Sequence, residues 1–180
     1  TGSKVAPDMC AMLHRGVEGL TFGVPTNHFW PGLEPEGEGI VREAISEFER
    51  MGATIREVEI PWAKLGQIAY GAVVGPESAD FHRAFLKDRR DDYVSPGADF
   101  FEQSLFIPGW RYVQAQRART LFIRQATEIF QGVDAILTPT SAISPPSIED
   151  CLDGMKMWGA VSDCTAAFST IGNPTLQVPC

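Results

Sequence analysis

Arg119 is the residue of this 180-residue chain whose type and position most demand a chemical explanation. It sits in a stretch where Trp110, Val113, Leu121, Phe122, Ile123, Ala126, Ile129 and Phe130 recur at roughly helical spacing, so that one helix face is expected to pack on a core. Its neighbours three and four positions away are Ala115, Gln116, Phe122 and Ile123. The guanidinium therefore leaves the helix on the more apolar side, where an unpaired charge is costly. A carboxylate is expected to meet it there. Glu77 and Asp134 are the internal candidates, and an internal salt bridge to one of them is favoured; the alternative is a substrate carboxylate held in a bidentate fork. Beyond the helix, an apolar run over Val133 to Leu137 reads as a short central strand, and Thr138-Pro139-Thr140 leaves its carboxyl end. Open α/β sheets place ligand crevices at that end of their strands. The hydroxyls of Thr138, Thr140 and Ser141, on a backbone stiffened by Pro139, Pro145 and Pro146, suit a substrate wall, and would serve equally as a rigid connection.

The other polar residues read more readily as structure. Asp134, at a strand start, can accept backbone N–H groups or pair with an arginine of the preceding helix, which is preferred to a catalytic role. Glu77 follows Pro76 and reads as a first-turn acid complementing a helix dipole. His82, between Phe81 and Arg83, reads as a half-buried packing residue. Ser3 and Lys4 read as a chain end and not as a catalytic pair. No catalytic residue is assigned, and no metal or other cofactor. Cys10, Cys151, Cys164 and Cys180 lie far apart, and His14, His28 and His82 are equally scattered, which speaks against a zinc site and for free thiols in a reducing compartment.

These groups must be positioned by a small set of elements. Pro7 to His14 reads as a short helix and Leu20 to Val24 as a strand stopped by Pro25. The Thr26 to Pro35 loop carries two exposed-looking aromatics, Phe29 and Trp30. Glu36 to Met51 is a helix, with acidic residues at its start, an apolar stripe from Ile40 to Met51 and Gly52 placed to end it. Ala53 to Ile60 is a second strand, parallel to the first through a right-handed crossover. Trp62 to Leu86 reads as two helical parts broken around Gly71 to Pro76. A mixed segment follows from Asp88 to Pro108, then the Arg119 helix, the Val133 strand, a small-residue helix over Gly159 to Ile171 and a last strand, Thr175 to Val178.

Three stretches carry a resemblance in order and spacing. They are Arg15-Gly-Val-Glu-Gly-Leu-Thr-Phe-Gly-Val-Pro25; then Gln114-Ala-Gln-Arg-Ala-Arg119 with Val133-Asp-Ala-Ile-Leu-Thr-Pro-Thr140; then Ile171-Gly-Asn-Pro-Thr-Leu-Gln-Val-Pro179. Together they resemble the amidase signature family of amide hydrolases, which includes the catalytic subunit of glutamyl-tRNA amidotransferase. The resemblance implies an α/β fold: a mixed sheet with parallel crossover units and helices on both faces, here cut at both sides, with residues 1–180 one domain or part of one. It also implies hydrolysis of a small-molecule amide by serine acyl transfer. The nucleophilic serine, a second serine on a cis peptide and a lysine base belong to a Gly/Ser-rich region that would precede this segment, so the chain alone is expected to be inactive. Arg119 matches the place in the Gln-x-x-Arg pattern at which amidotransferase members can hold a substrate carboxylate.

Composition narrows the classes. With 44% hydrophobic and 21% charged residues the chain can bury one sizeable core. A formal charge of −8, with 15 basic against 23 acidic residues, argues against a nucleic-acid surface. No run approaches the length of a membrane helix, and a cytoplasmic location is expected. Two other readings are a non-catalytic amidase-like interaction module, with the Phe29-Trp30 loop and the Phe100 to Phe106 stretch as its apolar patch, and half of a split enzyme completed by a partner chain that bears the serines and lysine; a homo-oligomer is a further partner possibility.

Overall fold

The computed structural model describes residues 8, 10–12, 14–93, 95–152 and 158–180. Ser3 and Lys4 lie outside these residues. Within Pro7 to His14 the described residues form a single 3-10 turn, Cys10–Met12. The first strand, β1 (Thr21–Pro25), runs one residue past the expected stop, since a proline at the last position of a strand removes little from the ladder. Helix α1 (Pro35–Arg50) follows, with Pro35 in its first turn beside Glu36 and Glu38. Gly52 ends it at φ 93°, a left-handed conformation that allows Ala53 N–H to reach back to Phe48 O at 3.1 Å. Strand β2 (Thr54–Val58) then pairs in parallel with β1, from Thr21 opposite Thr54 to Pro25 opposite Val58.

The third strand, β3 (Ala135–Ile136), lies parallel on the other side of β1, with Phe22 opposite Ala135 and Gly23 opposite Ile136. The order is β2-β1-β3, so among the described residues β1 is central and β3 is an edge, contrary to the expectation from its apolar run. Its apolarity serves the faces of the sheet: Ile136 packs against the main core cluster. Alternation along β1 divides the two faces. Phe22 meets Phe48 of α1, with ring centroids 5.1 Å apart. On the opposite side a Cβ at Gly23 would come within 3.2 Å of the Val58 methyls and 3.4 Å of Val133, so a larger residue here would require those side chains to shift by a few tenths of an ångström.

The second face carries a helical layer: α2 (Ala63–Arg89), α3 (Ser95–Ser104), α4 (Gly109–Ile129) and α6 (Trp158–Ile171), with the short α5 (Ile148–Leu152) preceding α6. The expected break in the middle of α2 is absent: one 27-residue helix passes through Pro76. Proline removes one backbone bond there, but α2 packs on α3, α4 and α6, and this tertiary support offsets the loss. Glycines permit the close approach. A Cβ at Gly75 would lie 2.9 Å from Ser104 Oγ, and one at Gly66 would lie 3.0 Å from Ala167 Cα, a backbone atom that cannot step aside. Gly66→Ala is therefore expected to lower stability by about 1–3 kcal/mol, read as a reduced urea midpoint, whereas an unchanged midpoint would show that α2 and α6 are not held this closely.

The core joins Phe29, Ile60, Trp62, Ala63, Phe122, Ala126, Ala167, Phe168 and Ile171, with Phe29 stacked on Phe168 at 5.6 Å. The expected strand over Thr175 to Val178 does not form. Residues 173–180 have no regular structure, and Leu176 is 88% exposed, because no described strand lies beside them to complete a ladder. Among the described residues no helix is long and apolar enough to cross a membrane.

Candidate functional site at the carboxyl end of the sheet

The connection after β1 leads to β2 on one side, while β3 lies on the other side of β1. The loops after β1 (residues 26–34) and β3 (residues 137–147) therefore part at the topological switch point, where parallel sheets place their ligand crevices. Irregular backbone at this point is held by side chains. Asn27 reciprocates with Ile60: its Nδ2 donates to Ile60 O and its Oδ1 accepts from Ile60 N–H, both at 2.9 Å. Thr26 N–H donates to Val58 O at 2.9 Å. Trp30 Nε1 donates to Pro25 O, and the Arg42 guanidinium lies 4.4 Å from the centre of the Trp30 ring. His28, at φ 62°, places Nε2 3.5 Å from Asp163 Oδ1 in α6. Phe29 is 1% exposed, so it is a core residue and forms no part of a surface patch.

Across the gap, Glu34 Oε2 accepts from Ser144 N–H at 2.9 Å and from Ser144 Oγ at 2.6 Å, while Glu34 N–H donates to Ala142 O at 3.1 Å. A serine hydroxyl on a carboxylate resembles a nucleophile with its base, but the electrostatics oppose that role. The Ser144 hydroxyl and then its backbone N–H hold the Glu34 carboxyl below the usual carboxylate range, so the group is a weaker base than an ordinary glutamate. Because the folded value is depressed, this contribution to stability is present above the ordinary value of 4.5 and is lost as pH falls through the lower folded value.

Arg119 is placed differently from expectation. Neither Glu77 nor Asp134 pairs with it, and among the described residues no carboxylate lies within ion-pair distance. Its Nε donates to Thr170 O at 2.7 Å, and Nη2 lies 3.7 Å from the Cβ position of Gly172. Phe168 O and Ser169 O already accept from the N–H groups of Gly172 and Asn173. Arg119 thus takes a remaining carbonyl at the negative end of α6, which accounts for a half-buried cation without an anion. Thr138 is half-buried and Thr140 exposed, on either side of the fully buried Pro139. No hydrogen bond joins them to Arg119, so the three expected binding residues are not brought into one contact.

The remaining assignments divide. Asp134 accepts from Thr21 N–H at 2.8 Å, the structural role expected of it. His82 stacks on Phe101 with centroids 4.2 Å apart and bonds Tyr93 Oη at 2.8 Å, again as expected of a packing residue. Glu77 is not in a first turn: it lies within the continuous α2 and accepts from Tyr112 Oη at 2.8 Å, tying α2 to α4. Among the described residues no group of His, Cys, Asp and Glu is arranged to hold a metal ion.

Cys164 is buried, whereas Cys10, Cys151 and Cys180 are exposed. Burial first, and then the nearby Asp163, push the Cys164 thiol up to about 11 from 9.0. The thiolate fraction is then about 100-fold lower than for an ordinary thiol below both values. At pH 8, iodoacetamide is expected to label the three exposed cysteines and leave Cys164 unlabelled in a peptide map; comparable labelling of all four would show that α6 opens.

The amidase family model matches residues 3–180. An amidase of Pseudomonas putida is 33% identical over 97% of this chain and 39% of its own length. A glutamyl-tRNA(Gln) amidotransferase subunit of Myxococcus xanthus (strain DK1622) is 32% identical over 97% of this chain and 41% of its own length. The chain thus spans about two fifths of the length of these curated relatives. A solved chain from a vestigial protein complex linked to the evolutionary origins of an s-triazine catabolic enzyme superposes with a TM-score of 0.72 at 26% identity, over 82% of this chain and 31% of that one. The crystal structure of an amidase gives a TM-score of 0.73 at 21% identity over 87% and 37%, a likeness of fold alone.

Proposed function

The chain belongs to the amidase family, and from that premise we propose that it forms part of an amidase-type hydrolase that cleaves carboxylic amides by serine acyl transfer. In that reaction a serine oxygen attacks the amide carbonyl, the C–N bond breaks with a proton passing to the leaving amine, and water then releases the acid. The serine nucleophile, the second serine and the lysine base come from outside these residues in this reading. Residues 1–180 contribute scaffold and a wall of the substrate pocket, as part of one amidase domain. The observation that supports this most is the junction of the loops after β1 and β3 at the switch point of the parallel sheet.

Within that wall, Thr138 and Thr140 offer hydroxyls, and Arg119 offers a cation. With Nε held by Thr170, its terminal nitrogens have no described anionic partner, an arrangement suited to an acid-bearing amide. A photoreactive amide incubated with the intact enzyme is expected to crosslink to residues 137–147; labelling confined to other parts of the enzyme would count against the wall.

A partner chain, or further parts of the same enzyme, is supported by apolar side chains that the described residues leave uncovered. Phe106 is 84% exposed and Trp110 61%, and one edge of β3 has no neighbouring strand among the described residues. The amidotransferase relative, itself one subunit of its enzyme, is consistent with a partner.

A further inference from the structure

We infer that Glu34 is a positioning residue that sets the width of the substrate pocket by bolting the loop after β3 to the loop after β1; this rests on the amidase reading above. The three bonds from Glu34 to Ala142 and Ser144 span 110 positions of sequence for the Ser144 pair and join two segments that otherwise have separate anchors. The first segment is rigid at its other end, through Asn27 on Ile60, Thr26 on Val58 and Trp30 on Pro25. The second is tied to the sheet at its start, where Leu137 N–H donates to Gly23 O at 2.9 Å and Pro139 is fully buried, but beyond Thr140 its Ser141 Oγ bond to Ile143 O at 2.8 Å only shapes it internally. Ala142 N–H also reaches Ala160 O, at a longer 3.4 Å. Glu34 therefore ties the part of the wall beyond Thr140, at Ala142 and Ser144, to the rigid β1–β2 side. An exposed carboxylate is well suited to this, since both bonds to Ser144 are charge-assisted.

Glu34 touches no reacting atom in this account, so its loss should change discrimination between substrates and not the chemical step. In the intact enzyme, Glu34→Ala is expected to reduce about ten-fold the ratio of kcat/KM for a well-fitted aryl-acyl amide to that for acetamide, mainly through KM, with acetamide turnover retained. Ser144→Ala is expected to show the same direction, the double variant to add little, and Glu34→Gln, which keeps an acceptor oxygen, to restore part of the ratio. An unchanged ratio, or equal loss on both amides together with a lowered melting temperature, would overturn the inference. Hydrogen exchange at Ser144 N–H separates this from the reading beneath it. If the wild-type enzyme turns over no amide, neutral or acid-bearing, the amidase reading fails, and the clamp stands only if Glu34→Ala removes exchange protection at Ser144; unchanged protection rejects the clamp itself.

Discussion

Arg119→Ala, made in the intact enzyme, is expected to raise KM for an amide carrying a carboxylate by about 10- to 100-fold while changing KM for a neutral amide of similar size by much less. The magnitude follows from a hydrogen bond to a charged group, worth about 1.5–3 kcal/mol, at about 1.4 kcal/mol per decade. The structure sharpens the test because it removes the internal alternative: neither Glu77 nor Asp134 pairs with the guanidinium, and Nε is fixed on Thr170 O at 2.7 Å. Arg119→Lys keeps the charge but cannot hold Thr170 O and still offer a planar fork, so an intermediate effect is expected. If both substrates suffer equally and the melting temperature falls, Arg119 serves only as the cation at the end of α6.

Trp62→Ala is expected to cost about 3–5 kcal/mol of stability, the range for deleting a large buried aromatic. Trp62 is 1% exposed and joins β2 to the helical layer through Ile60, Ala63 and Phe29. Its Nε1–H, however, has no hydrogen-bond partner among the described residues. A buried unpaired donor carries a penalty of about 1–3 kcal/mol, so Trp62→Phe removes that penalty along with part of the packing. Equilibrium urea unfolding should therefore rank Trp62→Phe well above Trp62→Ala in stability. Equal losses would mean that the indole N–H is satisfied by a group from another part of the enzyme.

What could be read from the sequence was what local chemistry decides. Helix α1 was legible because its acidic first turn, its apolar stripe and the Gly52 stop are each local signals. The parallel pairing of β1 with β2 followed from a short crossover, and Asp134 and His82 were legible as structural because polar residues in apolar runs must find partners. The errors share a cause in long-range packing. Pro76 marks a break by any local rule, and α2 continues through it because α3, α4 and α6, distant in sequence, support it. Phe29 sits in a loop of turn formers that reads as surface, yet Phe168 stacks on it. The need of Arg119 for a partner was visible, but the partner is a backbone carbonyl at a helix end, which no residue type announces. The Glu34–Ser144 clamp was missed for the same reason: neither residue has a local pattern, and the bond closes 110 positions of chain. Only the stiff Pro145-Pro146 stretch hinted that this loop has a fixed place.

In the proposed enzyme these residues build a wall of the amide pocket and the nucleophilic serine belongs to another part of the molecule. The decisive measurement applies a serine-directed fluorophosphonate probe to the intact enzyme and to the purified 180-residue chain, with peptide mapping and ammonia release from primary amides. The expected result is an active intact enzyme labelled on a serine outside these residues, and a folded 180-residue chain that is neither labelled nor active. Labelling of Ser144, Ser162 or any other serine of this sequence, with release of ammonia by the chain alone, would contradict it.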